Sequence, residues 1–353
     1  MTSLKVLAIG DSFVTRAQFE VGLSRLAAAH ALRIAELDEA ATFTPATTSE
    51  RSIREYIGTP RNVAAELLDE EILLVHAAPV TEAVFDASPN LKIVGVARGG
   101  PVNVDVHAAT ERGISVLSAP GRNAEAVADL TLAFSIMLAR GVLKGVEFVA
   151  AGHPLGESNF EGAQFLGHEL GGHLLGLVGF GNVGARVAKR ALAFGMSVLV
   201  FDPFVPRTKI ECPGVTKTEL DELLSKSDFV SLHARCTSEN VDFFNESKFR
   251  LMKPGAFFLN TARETLVDEQ ALYEALVSKR IAGAAVDVLK TCPDGSPNPL
   301  RSLENVIITP HLGGATFEAA LRGVEILAQQ VELYASGQTM QHVVNPAAAE
   351  RTR

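Results

Sequence analysis

The chain has 353 residues, enough for two domains at roughly 100–200 residues each. Its net charge of −9 argues against a general nucleic-acid or anionic-membrane binder, although a local basic pocket for a small acid stays open. Three scattered cysteines, Cys212, Cys236 and Cys292, form neither a zinc pattern nor a disulfide framework, so no metal is expected. The first apolar run, Val6 to Gly10, is too short for a signal peptide, and no stretch reaches the ~18 apolar residues of a membrane span. A cytoplasmic protein is the expectation.

In chain order, LKVLAIG reads as a strand, GDS as a turn, and the segment ending near His30 as a helix. Further strands are predicted over 71–75, 91–97 and 114–117, with helix-compatible stretches such as 61–68 between them. Strands alternating with helices imply a parallel sheet. Pro120 and Gly121 punctuate the chain, and 123–140, rich in Ala and Leu, reads as a buried helix. After a glycine-rich stretch over 153–172 a second α/β series begins. Its strands are predicted over 174–178, 197–201, 229–232, 256–259, 284–288 and 306–308, with a last long helix over 317–335.

The strongest local signal lies where the second series starts. Gly179, Gly181 and Gly184 form G-x-G-x-x-G between an apolar strand and a helix. The first glycine permits a tight turn, the second lets the backbone approach a pyrophosphate, and the third lets helix and strand pack closely. The following strand, SVLVF, ends at Asp202, the spacing at which an acid accepts from the adenosine ribose hydroxyls. A carboxylate there repels a 2′-phosphate, which favours NAD over NADP; Arg207 nearby keeps NADP open.

The fingerprint is central, with a whole α/β series before it. With RGGPVNVDVHAATERGISV, PGRNAEAVADLTLAFSIMLAR, LMKPGAFFLNTAR, LVDEQALYEAL, AAVDV and NVIITPHLGGAT in this order, the chain resembles the D-isomer-specific 2-hydroxyacid dehydrogenases from about Leu91 onward. The resemblance implies two Rossmann-like, doubly wound parallel-sheet domains. A flavodoxin-like substrate domain (1–120 and 316–353) would carry an inserted NAD-binding domain (121–315). It also implies a homodimer and a small 2-hydroxy or 2-keto acid as substrate.

The same resemblance implies the site. Arg263 in NTAR would bind the substrate carboxylate, and His311 in TPHLGG would be the acid/base. These residue types suit the chemistry. A guanidinium is always charged and forked, and an imidazole titrates near neutrality. Cofactor contacts are implied at Gly179, Gly181, Asn182, Val183, Gly184, Asp202, Ala234, Arg235, Thr261, Ala262, Arg263 and Asp287. Substrate loops are implied at Ala77, Ala78, Gly99 and Gly100; His76 is a candidate neighbour, and His233 reads as structural.

The sequence departs from the family at one catalytic position. D-V-x-x-x-E-P reads Asp287, Val288, Leu289, Lys290, Thr291, Cys292, Pro293, so Cys292 stands at the family's glutamate. A thiol cannot match a carboxylate in raising a histidine pKa. Three readings follow: an unassisted histidine, a substitute acid such as Glu264 or Asp294, or a catalytically weak NAD-binding regulator. The formate dehydrogenases of the same superfamily pair their histidine with a neutral glutamine.

Overall fold

A computed structural model describes residues 3–153, 161–292 and 294–349. Pro293 and residues 154–160 of the glycine-rich stretch lie outside the described residues. The chain divides into two compact units, Met1–Asn123 with Ala315–Arg353, and Ala124–Gly314.

The first unit is built on five strands, β1 (Lys5–Gly10), β2 (Ala31–Glu36), β3 (Ile72–Val75), β4 (Ile93–Val96) and β5 (Ser115–Leu117). All pair in parallel, in the order β2-β1-β3-β4-β5. The inner strands β3 and β4 are buried throughout, as expected for apolar runs covered on both faces. Side chains alternate across the sheet, so Leu7 and Ile9 join one core and Val6 and Ala8 the other. The helix Phe317–Ala335 closes this second core through Val324, Leu327 and Val331, which explains why the C-terminal segment belongs to the first unit. A Cβ on Gly22 would stand 2.7 Å from Val324 Cγ1, so glycine sets the close approach of the Arg16–Gly22 helix to it.

The second unit has seven strands: β6 (Leu174–Val178), β7 (Ser197–Phe201), β8 (Val215–Lys217), β9 (Phe229–Leu232), β10 (Phe257–Asn260), β11 (Gly283–Val286) and β12 (Val306–Ile308). Their order is β12-β11-β10-β9-β6-β7-β8, again parallel. The helix Ala124–Arg140 packs on one face with Leu132 and Phe134 in the core. On the other face Phe244, Phe249 and Phe258 form an aromatic knot with centroids 4.7–5.2 Å apart. Among the described residues no single helix is long and apolar enough to cross a membrane.

Two strands escape the sequence reading, β2 and β8. Both are sheet edges, half open to solvent, so neither needs the continuous apolar run that marks an inner strand.

Candidate active site

In a parallel sheet ligands gather beyond the carboxyl ends of the strands, where the strand order reverses. In the seven-stranded sheet that point lies between β6 and β9. The glycine turn follows β6. Gly179 has φ +102°, and a Cβ there would meet the backbone of His233 and Ala234 at 2.7 Å. A Cβ on Gly184 would stand 2.3 Å from the Gly179 carbonyl oxygen. One on Gly181 would meet nothing within 4 Å. Two of the glycines thus pack the turn and the third leaves a cradle open. Gly181 also starts the helix Asn182–Ala193, whose first N–H groups suit a phosphate.

Asp202, buried at the end of β7, accepts from Phe180 N at 2.8 Å through Oδ2, and from Phe204 N and Val205 N through Oδ1. Its carboxylate ties the glycine turn to the segment after β7, and Oδ2 keeps lone-pair capacity for a ribose hydroxyl. This arrangement fits a dinucleotide. His233, after β9, lies 2.9 Å from Ser231 Oγ through Nε2, and burial pushes its pKa down to about 3. That folded value is below the unfolded one of roughly 6.5. The unfolded chain therefore binds more protons between the two values, and stability is lost as pH falls through that window. Urea midpoints are expected to drop from about pH 7 to about pH 4.5, and less steeply in His233→Gln, at no more than ~1.4 kcal/mol per pH unit of difference. Equal pH slopes would refute this.

The candidate catalytic residues follow the neighbouring strands β10, β11 and β12 at the same edge. After β10, the buried Asn260 shapes the turn: its Oδ1 accepts from Ala262 N and its Nδ2 donates to Arg263 O at 2.9 Å. Thr261 is buried 3.2 Å from Thr131 Oγ1. Arg263 is exposed, and among the described residues its side chain donates only to the Ala262 carbonyl. Ala234 and Arg235 follow β9, and Asn240 Nδ2 holds the Arg235 carbonyl at 2.8 Å.

Asp287, after β11, is buried. Its Oδ1 accepts from Thr309 Oγ1 at 2.5 Å and Leu312 N at 2.7 Å, and its Oδ2 from Gly313 N at 2.7 Å. The carboxylate expected as a cofactor contact also holds the 309–313 turn. There His311 adopts φ +59°, a left-handed conformation that costs a non-glycine residue free energy and persists only when its surroundings impose it. The imidazole is exposed and makes no side-chain hydrogen bond among the described residues. Sequence reasoning missed Asn260, Thr131 and Thr309: Asn260 and Thr309 shape turns after strands, Thr131 meets Thr261 from inside the helix Ala124–Arg140, and none of these roles has a periodicity of its own.

His311 lines a groove of about 610 Å³ with Glu264, Asp287, Val288 and Arg301. Cys292 lines a different cavity of about 290 Å³, with Glu269, Tyr273, Lys290 and Asn298. Glu269 accepts there from Lys290 N at 2.7 Å and from the Asn298 amide, while burial raises its pKa. Of the acids weighed at the sequence level, Glu264 is therefore the one that shares a groove with the histidine.

In the five-stranded unit, the order reverses between β1 and β3. Asp11 follows β1 and His76 follows β3; both are buried and bonded to each other. Ala77 N donates to Asp11 Oδ2 at 2.8 Å, which removes one of the expected substrate-loop donors. The N–H groups of Ala78, Gly99 and Gly100 engage no acceptor among the described residues, and a Cβ on either glycine would meet nothing within 4 Å. Among the described residues no cluster of His, Cys, Asp or Glu is placed to hold a metal ion.

Comparison with known proteins bears on what this edge does. Residues 132–313 match the model of the D-isomer specific 2-hydroxyacid dehydrogenase NAD-binding domain. A hydroxypyruvate reductase of Thermotoga maritima is 41% identical over 261 residues, covering 73% of this chain and 82% of that one. A D-3-phosphoglycerate dehydrogenase of Archaeoglobus fulgidus is 38% identical over 276 residues, 78% of this chain; the chain spans only 51% of that relative's length. Among solved structures, a D-lactate dehydrogenase from Aquifex aeolicus complexed with NAD and lactic acid is 28% identical, with a TM-score of 0.70 over 97% of this chain and 99% of that one.

Proposed function

The chain belongs to the D-isomer-specific 2-hydroxyacid dehydrogenase family, and on that premise we propose that it interconverts a 2-hydroxy acid and its 2-keto acid with NAD, on the D side. The observation that carries this reading is the alignment of strand ends. Arg263, the Asp287-held turn and His311 follow three adjacent strands on the edge that bears the glycine turn.

NAD is the family's cofactor, and Gly179, Gly181, Asn182, Val183, Gly184 and Asp202 would hold its pyrophosphate and adenosine ribose. When bound, it supplies or accepts the hydride at the substrate's C2. Arg263 binds the substrate carboxylate and polarises the adjacent carbonyl with its fork of donors. His311 gives the proton to the keto oxygen in reduction and removes it from the hydroxyl in oxidation. Residues 1–120 with 316–353 form the substrate domain and 121–315 the NAD-binding domain in this reading, and the N–H groups of Ala78, Gly99 and Gly100, which engage no acceptor among the described residues, are candidate donors to an acid. Consumption of NADH across a panel of 2-keto acids tests it. Turnover on at least one acid is expected, and silence on all of them would sink it.

A second reading has an observation in its favour. In the motif resemblance Cys292 takes the place of the family's glutamate, and among the described residues the His311 ring has no hydrogen-bonded acid, which suits an NAD-binding regulator with little turnover. We favour Glu264 as the acid that serves His311, because both line one groove. Glu264→Gln is expected to lower kcat on the order of tenfold, the worth of ~1.4 kcal/mol of lost imidazolium stabilisation. Cys292→Glu should then change kcat by less than about threefold, whereas unassisted histidine chemistry predicts a gain of up to ~10²–10⁴-fold. The measurement is kcat against pH for both variants.

A homodimer is the proposed assembly. The helix Val142–Ala150 leaves Val142, Leu143, Val146 and Val149 exposed within the chain, an apolar face that a second copy would cover. Sedimentation at the mass of one chain would refute it.

A further inference from the structure

Arg263 and Glu264 are adjacent in the chain and oppositely charged. Joined as an ion pair they would occupy each other, yet the proposed chemistry gives each a separate task, Arg263 on the substrate carboxylate and Glu264 on His311. Three features hold them apart. Arg263 has extended backbone, with φ −147° and ψ 145°. Successive side chains of extended chain leave on opposite sides, which sends the two charges different ways. The guanidinium is folded back along the chain, where it donates through Nη1 to the Ala262 carbonyl at 2.7 Å. That bond takes one of its five donors and leaves the others for a ligand. Glu264 opens the short helix Glu264–Leu266 and lines the groove of His311, which Arg263 does not line. Among the described residues no ion pair joins Glu264 to Arg263, nor to Arg301 in the same groove.

The arrangement turns on Asn260, which is buried at the end of β10. Its Oδ1 accepts from Ala262 N at 3.0 Å, and its Nδ2 donates to the Arg263 carbonyl at 2.9 Å. These bonds fix the peptide groups on either side of the one that carries the Ala262 carbonyl. The direction of that carbonyl, where the guanidinium rests, is therefore set by Asn260. Leu266 N also donates to the Arg263 carbonyl, at 3.3 Å, and Val267 N to the Glu264 carbonyl at 3.2 Å, so the short helix that carries Glu264 starts from the same fixed point. An amide suits this post because one short side chain supplies both a donor and an acceptor, whereas an ionised carboxylate only accepts.

We propose that Asn260 is a positioning residue that keeps Arg263 and Glu264 from pairing with each other, so that the guanidinium stays available to the substrate carboxylate and the carboxylate to His311. The inference rests on the dehydrogenase reading for the tasks of the two charges. Their separation is a property of the turn alone, and it is measurable without a substrate.

The test uses the full chain as Asn260→Ser, Glu264→Gln and the double variant. Serine is too short to span both bonds and loses the donor to the Arg263 carbonyl. Asn260→Ser is expected to raise KM for the preferred 2-keto acid by up to about fivefold, the worth of an exposed ion pair formed where none stood. Modification of Arg263 by phenylglyoxal, followed by peptide mass spectrometry, should slow by a similar factor. Adding Glu264→Gln removes the competing carboxylate, so both effects should vanish: KM and reactivity in the double variant should match those of Glu264→Gln alone. This relief is the coupling that a merely structural asparagine would not produce. A KM or reactivity change that Glu264→Gln leaves in place, Arg263 reacting as fast as before or faster in Asn260→Ser, or no change at all, would overturn the proposal. Should Asn260→Ser not fold, Asn260→Thr carries the same test, since it fills more of the space and also lacks the donor at that reach. Should the unaltered protein turn over no acid, the dehydrogenase reading fails separately. The phenylglyoxal rates then decide: slowing in the Asn260 variant that Glu264→Gln reverses supports the role of Asn260, and any other pattern overturns it.

Discussion

His311→Gln is expected to reduce kcat about 10²–10⁴-fold, the range for losing a positioned general acid–base. NADH affinity should change by less than about threefold, because His311 stands after β12 and the glycine turn after β6, with β11, β10 and β9 between them in the sheet. Glutamine keeps a polar side chain of similar reach and donates a hydrogen bond, but it cannot release a proton. Stopped-flow reduction of the preferred keto acid, with fluorescence titration of NADH, separates the two effects. Full turnover in His311→Gln would remove the histidine from the chemistry, and a parallel loss of NADH binding would point to damage of the turn. Asp287→Asn should mimic part of the defect. It swaps one acceptor oxygen for a donor within a three-bond clamp, so the turn that presents His311 loosens although the histidine is intact.

The glycine turn gives the second large effect, with an internal control. Gly184→Ala places a methyl 2.3 Å from the Gly179 carbonyl oxygen, and backbone must move to admit it. Overpacking of this kind costs about 1–3 kcal/mol. If the strain falls on the turn that receives the pyrophosphate, NADH affinity drops about 5- to 150-fold. The melting temperature should drop as well, by about 2–4 °C per kcal/mol for a unit of this size. Gly181→Ala meets no protein atom within 4 Å, so its melting temperature should hold while its NADH affinity falls. Calorimetry and NADH titration on both variants make the comparison. Unchanged affinity in Gly181→Ala would mean that the open side of the turn is not where the phosphates lie.

Much of this architecture is legible in the residues. The inner strands announce themselves because both faces are covered: ILLV and FVSL are buried at every position. The fingerprint is legible because its first and last glycines answer a steric demand, seen in the packing around Gly179 and Gly184, while Gly181 keeps the turn open. The edge strands β2 and β8 were not legible, since half-exposed pairing leaves no apolar signature. The site was legible in part. Arg263 and His311 were proposed through motif order, whereas Asn260 and Thr309, which shape the turns around them, carry no pattern. Asp287, read as a cofactor contact, also clamps the 309–313 turn, and a motif names a residue without saying which of its neighbours uses its oxygens.

The left-handed backbone at His311 has a consequence for transplanting this chemistry. The torsion is written not in TPHLGG alone but also in a carboxylate at the end of the adjacent strand, which Thr309, Leu312 and Gly313 of that segment grip. Moving the histidine segment onto another scaffold would carry the letters without the pose. The smallest heritable module is a pair of neighbouring strand ends, and a designer who copies one must copy both.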